Sequence, residues 1–307
     1  MNKKLAFLFP GQGSQSIGML NELALKFSLV EKTYRQASQV LQYDLWQLVQ
    51  EGPEEKLNQT QYTQPALLVG EVAMWHIWKE QGLDNPLFMA GHSLGEYSAL
   101  VCAAALNFTD AVKLVAQRGR LMQQTVSAQQ GGMVAIVGLD ENQIAEICRI
   151  AAQGQILTPA NYNSIGQTVL SGDLAAAKRA VDIAKAAGAK VAKLLSVSVP
   201  SHCKLMKPAA EKLASYLNEI EIKEPNVPVI NNVDVTCYKN VADIRDALIR
   251  QLYNPVRWVE TIQFLYKQGV ECLVECGPGK VLAGLNKRII RELPTMKYSE
   301  LLTTYGR

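Results

Sequence analysis

Gly91-His92-Ser93-Leu94-Gly95 sets a serine between two glycines, after the apolar stretch 87–90 and ahead of an alanine-rich helical stretch, 98–106. A strand, a Gly-x-Ser-x-Gly turn and a helix together hold a serine hydroxyl on a sharp turn above a sheet, with a helix N-terminus behind it. Glycine suits positions 91 and 95 because a side chain at either would strike the neighbouring strand or helix. Such a serine is a candidate nucleophile, and the matching chemistry is acyl transfer. It needs a base to attack an ester or thioester near neutral pH. The chain has three histidines. His76 sits in the apolar segment Met74-Trp75-His76-Ile77-Trp78, where a core or surface role is expected. His92 adjoins Ser93 on the turn, so its ring should point away and take a structural hydrogen bond. That leaves His202, in the loop Val199-Pro200-Ser201-His202-Cys203, as the candidate base, with Ser201 a possible helix cap. Cys203 is a poor nucleophile candidate, because adjacent residues seldom aim their side chains at each other. No aspartate or glutamate stands out as a third member, and a main-chain carbonyl could fix the imidazole tautomer instead.

The elements that must position these residues alternate. A buried strand is expected at 4–9, helical periodicity at 19–41, and a helix at 67–81 with Pro65 near its start. The strand 87–90, the helix 98–106 and a helix 109–125 follow, which argues for a largely parallel sheet covered by helices. Between 131 and 198 the order changes to β-α-β-β-α-β, with strands at 132–139, 156–161, 167–171 and 190–196 and helices at 141–152 and 173–187. That order is the ferredoxin-like unit. Alternation then resumes: helix 208–217, strand 229–232, helices 241–252 and 256–268, strand 271–275, helix 281–291 and a polar tail from 293 expected to be loosely held. The expected fold is α/β, a large α/β-hydrolase-like catalytic domain (1–127 and 198–307) interrupted by a small ferredoxin-like domain (128–197).

With 307 residues, 48% hydrophobic and 19% charged, the chain can bury a substantial core. A net charge of +3 is too small to imply a nucleic-acid partner, though it permits local basic patches. The apolar run at the N-terminus stops at Pro10, short of an export signal, and no stretch approaches the roughly 18 apolar residues of a membrane span. A cytoplasmic protein is expected. The six cysteines are scattered with no Cys-x-x-Cys pair, which argues for reduced thiols and against a zinc site. Gly277-Pro278-Gly279-Lys280 lacks the spacing of a phosphate-binding loop.

Phe9-Pro10-Gly11-Gln12-Gly13-Ser14-Gln15, Gly91-His92-Ser93-Leu94-Gly95-Glu96-Tyr97 and Gln117-Arg118-Gly119 resemble the malonyl-CoA:acyl carrier protein transacylases. So do Val199-Pro200-Ser201-His202, Asn231-Asn232-Val233, Gln251-Leu252-Tyr253-Asn254-Pro255-Val256 and Glu275-Cys276-Gly277-Pro278-Gly279. These motifs run in order along essentially the whole chain and look like the stand-alone bacterial-type enzyme of fatty acid synthesis. Ile165, where relatives often carry proline, and Cys276, where valine is frequent, depart from the pattern.

The resemblance implies a ping-pong transfer. Ser93 would take the malonyl group from malonyl-CoA and pass it to the pantetheine thiol of holo acyl carrier protein, with His202 as base. It implies an oxyanion hole from the backbone N–H groups of Gln12 and Leu94, and a main-chain carbonyl at Gln251 that orients His202. Helical position alone would leave Arg118 on a solvated face; the resemblance instead makes it the partner of the malonyl carboxylate, which a guanidinium fork can bind through two hydrogen bonds. Arg120, roughly 200° further round a helix, should face elsewhere. Gln64 matches a secondary pocket position. No cofactor or metal is implied, coenzyme A and phosphopantetheine thioesters being substrates, and a monomer is expected. A serine hydrolase on the same elbow and a non-catalytic carrier-protein docking module are the alternatives.

Overall fold

The runs Leu5-Ala6-Phe7-Leu8-Phe9 and Cys272-Leu273-Val274 are apolar at every position, the pattern of strands covered on both faces. The computed structural model describes residues 4–126, 130–195 and 199–298. Its strands are β1 (Leu5–Phe9), β2 (Phe88–Gly91), β3 (Gly131–Val137), β4 (Leu157–Ser164), β5 (Gln167–Asp173), β6 (Val191–Leu194), β7 (Val229–Ile230), β8 (Cys272–Glu275) and β9 (Thr295–Lys297). One sheet has the order β7-β2-β1-β8-β9, and every pairing in it is parallel. Alternate residues of β1 divide between two cores. Phe7 and Phe9 join a large cluster with the helix Thr60–Glu80, while Ala6 and Leu8 pack with Trp258, Ile262 and Leu282 on the other side.

The second sheet, β4-β5-β3-β6, is antiparallel throughout. Its helices, Glu141–Ala152 and Leu174–Ala186, cover one face, as expected of the β-α-β-β-α-β order. Ala176, Ala177, Ala180 and Ala184 line the buried side of the second helix, so its backbone approaches the sheet closely. β4 is tied to the rest of the chain by Tyr162 N–H donating to the Val256 carbonyl (3.0 Å) and Val256 N–H to that of Ala160 (2.9 Å). The expected junctions, 127/128 and 197/198, lie outside the described residues.

The structure corrects several element boundaries. The expected helix 19–41 is two, Asn21–Ala24 and Leu29–Leu41, and Leu20 has a positive φ of 63°. The helix around Pro65 begins at Thr60, so Pro65 lies inside it. Two short helices, Leu45–Glu51 and Glu54–Leu57, had no clear periodicity over so few residues. The elbow helix is Leu94–Cys102, starting directly after the serine, and Ala104 with φ 57° breaks it early. The last helix stops at Asn286. The tail beyond it is held through residue 298: β9 pairs with β8, and Leu293 and Tyr298 are buried, the Tyr298 hydroxyl donating to the Met74 carbonyl. Isolated apolar residues among polar ones hid that strand from a pattern reading.

Candidate active site

β2 ends at Gly91 and the helix Leu94–Cys102 begins three residues later, so the chain reverses on His92 and Ser93. Ser93 sits at φ 54°, ψ −105°, a strained conformation for a residue with a side chain. The turn can be this tight only because of its glycines. A Cβ on Gly91 would lie 1.8 Å from the Gly95 carbonyl carbon, and one on Gly95 would lie 2.0 Å from the Phe9 oxygen. Asn232 and Gln251 grip the serine from either side. The Ser93 N–H donates to Asn232 Oδ1 (2.7 Å), and its carbonyl accepts from Gln251 Nε2 (3.0 Å).

His202, also at positive φ (61°), brings Nε2 to 2.7 Å from Ser93 Oγ. Its Nδ1 lies 2.8 Å from the Gln251 carbonyl, which can only accept. Nδ1 therefore carries the proton, and Nε2 is left as acceptor for the serine hydroxyl. Burial, and secondly the Arg118 charge, push the imidazole pKa down to about 3, so the ring is neutral near pH 7. Ser201 does not cap the following helix, whose cap residue is Met206; Ser201 lines the cleft. Cys203 is buried with Sγ donating to the Pro200 carbonyl (3.3 Å), and burial raises its pKa, which keeps it a thiol.

Arg118 is 1% exposed, not on a solvated face. Its Nη2 donates to Ser93 Oγ (3.3 Å) and to Gln251 Oε1 (2.9 Å), its guanidinium lies 5.3 Å from the Tyr97 ring centroid, and its Nε has no partner among the described residues. Arg120 is exposed, as its helical offset predicts. A cleft of about 200 Å³ takes in Gln12, Gln64, His92, Ser93, Leu94, Arg118 and His202, with Met133, Asn161, Asn163 and Leu195 of the inserted unit on its far wall. Every residue predicted for the site thus borders this cleft except Gln251, which lies behind Ser93 and is fully buried. Leu94 is the first residue of its helix, so its N–H has no intrahelical acceptor. Gln64 is buried with Nε2 against Met122 Sδ (3.6 Å), its Oε1 unpartnered among the described residues.

The acyl transferase domain family model matches residues 6–307. The malonyl CoA-acyl carrier protein transacylase of Salmonella typhimurium is 57% identical over 297 residues, covering 97% of this chain and 96% of that protein. The chain belongs to this transacylase family. It is an acyltransferase of that type, and its fold agrees. The solved structure of the Coxiella burnetii transacylase superposes with a TM-score of 0.97 at 54% identity, covering 99% of this chain and 97% of that one. A malonyl-transacylase solved in complex with a type II PKS acyl-carrier protein superposes with a TM-score of 0.95 at 56% identity, covering 96% and 95%.

Two residues of the transacylase site and one hydrogen-bond partner have no assignment from sequence. Glu96, in the first turn of the elbow helix, is buried beneath Ser93; the one charged residue of that helix was the available signal. Asn232 stood in a recognised motif without a role. His92 makes the structural hydrogen bond expected of it, Nε2 lying 2.8 Å from Asn163 Oδ1; the partner, on β4, is a long-range contact that local sequence cannot name.

Proposed function

We propose that this chain transfers a malonyl group from malonyl-CoA to the pantetheine thiol of acyl carrier protein through a malonyl-Ser93 intermediate. The observation that carries the reading is the convergence of two groups on one oxygen: His202 Nε2 at 2.7 Å and Arg118 Nη2 at 3.3 Å from Ser93 Oγ. The first suits a base, and the second a holder for a carboxylate a few bonds from the reacting carbonyl. The carrier-protein partner is supported by the relatives' names and by the relative solved with its acyl-carrier protein.

In the first half-reaction, Ser93 Oγ attacks the thioester carbonyl as its proton passes to His202 Nε2. The Gln12 and Leu94 N–H groups stabilise the oxyanion, one such donor being worth about 3 kcal/mol of barrier. The carbon–sulfur bond breaks, and the departing coenzyme A sulfur takes the proton from His202. In the second half, the carrier thiol gives its proton to His202 and attacks the ester carbonyl, and collapse returns the proton to Ser93 Oγ. The Gln251 carbonyl holds the ring tautomer throughout and stabilises the transient imidazolium. Burial depresses His202 most and the Arg118 charge adds to it; a carboxylate on Arg118 offsets that second part, so the charged substrate makes its own base stronger.

Intact-protein mass spectrometry after incubation with malonyl-CoA tests this. A single malonyl adduct mapping to Ser93 is expected, absent from Ser93→Ala, and His202→Ala should form it at least about 10²-fold more slowly. Transfer of that adduct to water in preference to carrier protein would favour a hydrolase. An adduct persisting in Ser93→Ala would move the nucleophile elsewhere.

A further inference from the structure

Arg118 and His202 perform different tasks, yet both are held by one residue, and that residue is itself held by a buried acid. Gln251 accepts from His202 Nδ1 with its main chain (2.8 Å) and from Arg118 Nη2 with its side-chain Oε1 (2.9 Å). Which way its amide faces is therefore decisive. If it flipped, two sets of donors would confront each other, an NH₂ group and the guanidinium. The Ser93 carbonyl (3.0 Å) and Glu96 Oε2 (2.7 Å) both accept from Gln251 Nε2 and so fix the amide. Glu96 Oε2 also accepts from the Asn232 N–H (3.0 Å), while the Asn232 side chain accepts from the Ser93 N–H (2.7 Å) and donates to the Gly91 carbonyl (2.6 Å). One carboxyl oxygen thus anchors both residues that grip the strained serine.

We infer that Glu96 is a positioning residue for the transfer: it locks the Gln251 amide, and thereby sets the nucleophile, the base and the carboxylate-holding arginine in mutual register. Glu96 is 2% exposed and does not line the cleft, so its hydrogen bonds reach the site through Gln251 and Asn232, and its charge is felt at Arg118. Its burial raises its pKa to about 7. What the lock needs is an acceptor oxygen, which an acid, a carboxylate or an amide all provide.

This inference rests on Ser93 and His202 forming the acyl-transfer pair. The test is the acylation rate with saturating malonyl-CoA and acetyl-CoA in the unaltered enzyme, Glu96→Leu, Glu96→Gln, Gln251→Ala and the Glu96→Leu/Gln251→Ala pair, corrected for folded fraction by circular dichroism. Glu96→Leu should slow malonyl acylation about 10²-fold, the scale of a small misplacement of reacting groups, and should narrow the malonyl-to-acetyl preference. Glu96→Gln, which keeps the acceptor, should recover the rate to within about tenfold of the unaltered enzyme. Gln251→Ala should match Glu96→Leu, and the double variant should lose no more than either, since both break one unit. Unchanged rate and preference in Glu96→Leu, additive losses in the pair, or Glu96→Gln as impaired as Glu96→Leu would each overturn the inference. Should Glu96→Leu not fold, an unaltered preference in Gln251→Ala does the same. Failure of the unaltered enzyme to form a Ser93 adduct would instead overturn the underlying reading.

Discussion

The elbow region and the inserted unit are built on opposite principles. Around Ser93 the interior is polar: Glu96, Arg118, His202, Asn232 and Gln251 are all buried, and Ser93 and His202 both hold positive φ. In the inserted unit the core is aliphatic, with Val134, Ile136, Ile144, Ile147 and Leu170 packed on small alanines. The first arrangement desolvates charges and strains backbone, which destabilises the fold but holds reactive groups where water cannot screen them. The second is ordinary close packing, whose return is stability. Among the described residues, the inserted unit meets the cleft at its rim, through its wall residues and the His92–Asn163 hydrogen bond. Function should therefore be most sensitive in the polar region and stability in the apolar one.

The largest test of that contrast is Arg118→Ala. Malonyl acylation should fall at least about 10²-fold, roughly 3 kcal/mol, because a buried carboxylate loses its partner. Acetyl acylation should hold or rise, and Arg118→Lys should rescue only in part, the ammonium lacking the bidentate fork. Equal losses on the two substrates would make Arg118 a structural residue and blur the contrast.

A smaller effect concerns pH. His202 has a folded pKa near 3 against an ordinary 6.5, so its stabilising contribution is complete above 6.5 and is lost as pH falls, when only the unfolded chain takes the proton. From pH 6.5 to about pH 5 the loss should reach about 2 kcal/mol, at 1.36 kcal/mol per unit. Thermal melts of the unaltered protein and His202→Gln across that range should diverge, with the shallower dependence in the variant. Parallel curves would mean the imidazole is not desolvated. In Arg118→Ala the imidazole should titrate higher, since a neighbouring positive charge is gone; nitrogen NMR of the ring reads this directly.

The smallest change sharpens the other side. Ile136→Val, fully buried near the end of β3, should cost about 1 kcal/mol of stability in chemical denaturation and leave acylation by the folded protein unchanged. A slowed acylation would mean that the inserted unit's core reaches the chemistry after all.

Much of this was legible because it is local. The elbow declares itself through Gly91, Ser93 and Gly95 together with the apolar stretch before them and the alanine-rich one after, and the switch to β-α-β-β-α-β between 131 and 198 is a matter of order along the chain. His202 could be reached by elimination because only three histidines compete. Arg118 could not be read from its helix: position alone left it on a solvated face, and only similarity to a family suggested otherwise. The polar tail could not be read as a held strand, since a short parallel strand such as Thr295–Lys297 is made by its neighbour and has little preference of its own.

By itself, then, the sequence determined the sharp turn that presents Ser93 and most of the succession of elements, both of which follow from backbone sterics and hydrophobic period over a few residues. Only the tertiary structure decided which face of the Arg118 helix is buried, that the side chain of Gln251 matters as well as its carbonyl, and that Glu96 lies beneath the serine. Those contacts join residues up to 158 positions apart, as between Gln251 and Ser93. They depend on how two strands and three helices converge at one end of a parallel sheet, and hydrogen-bond direction at that distance leaves no periodic trace in the chain.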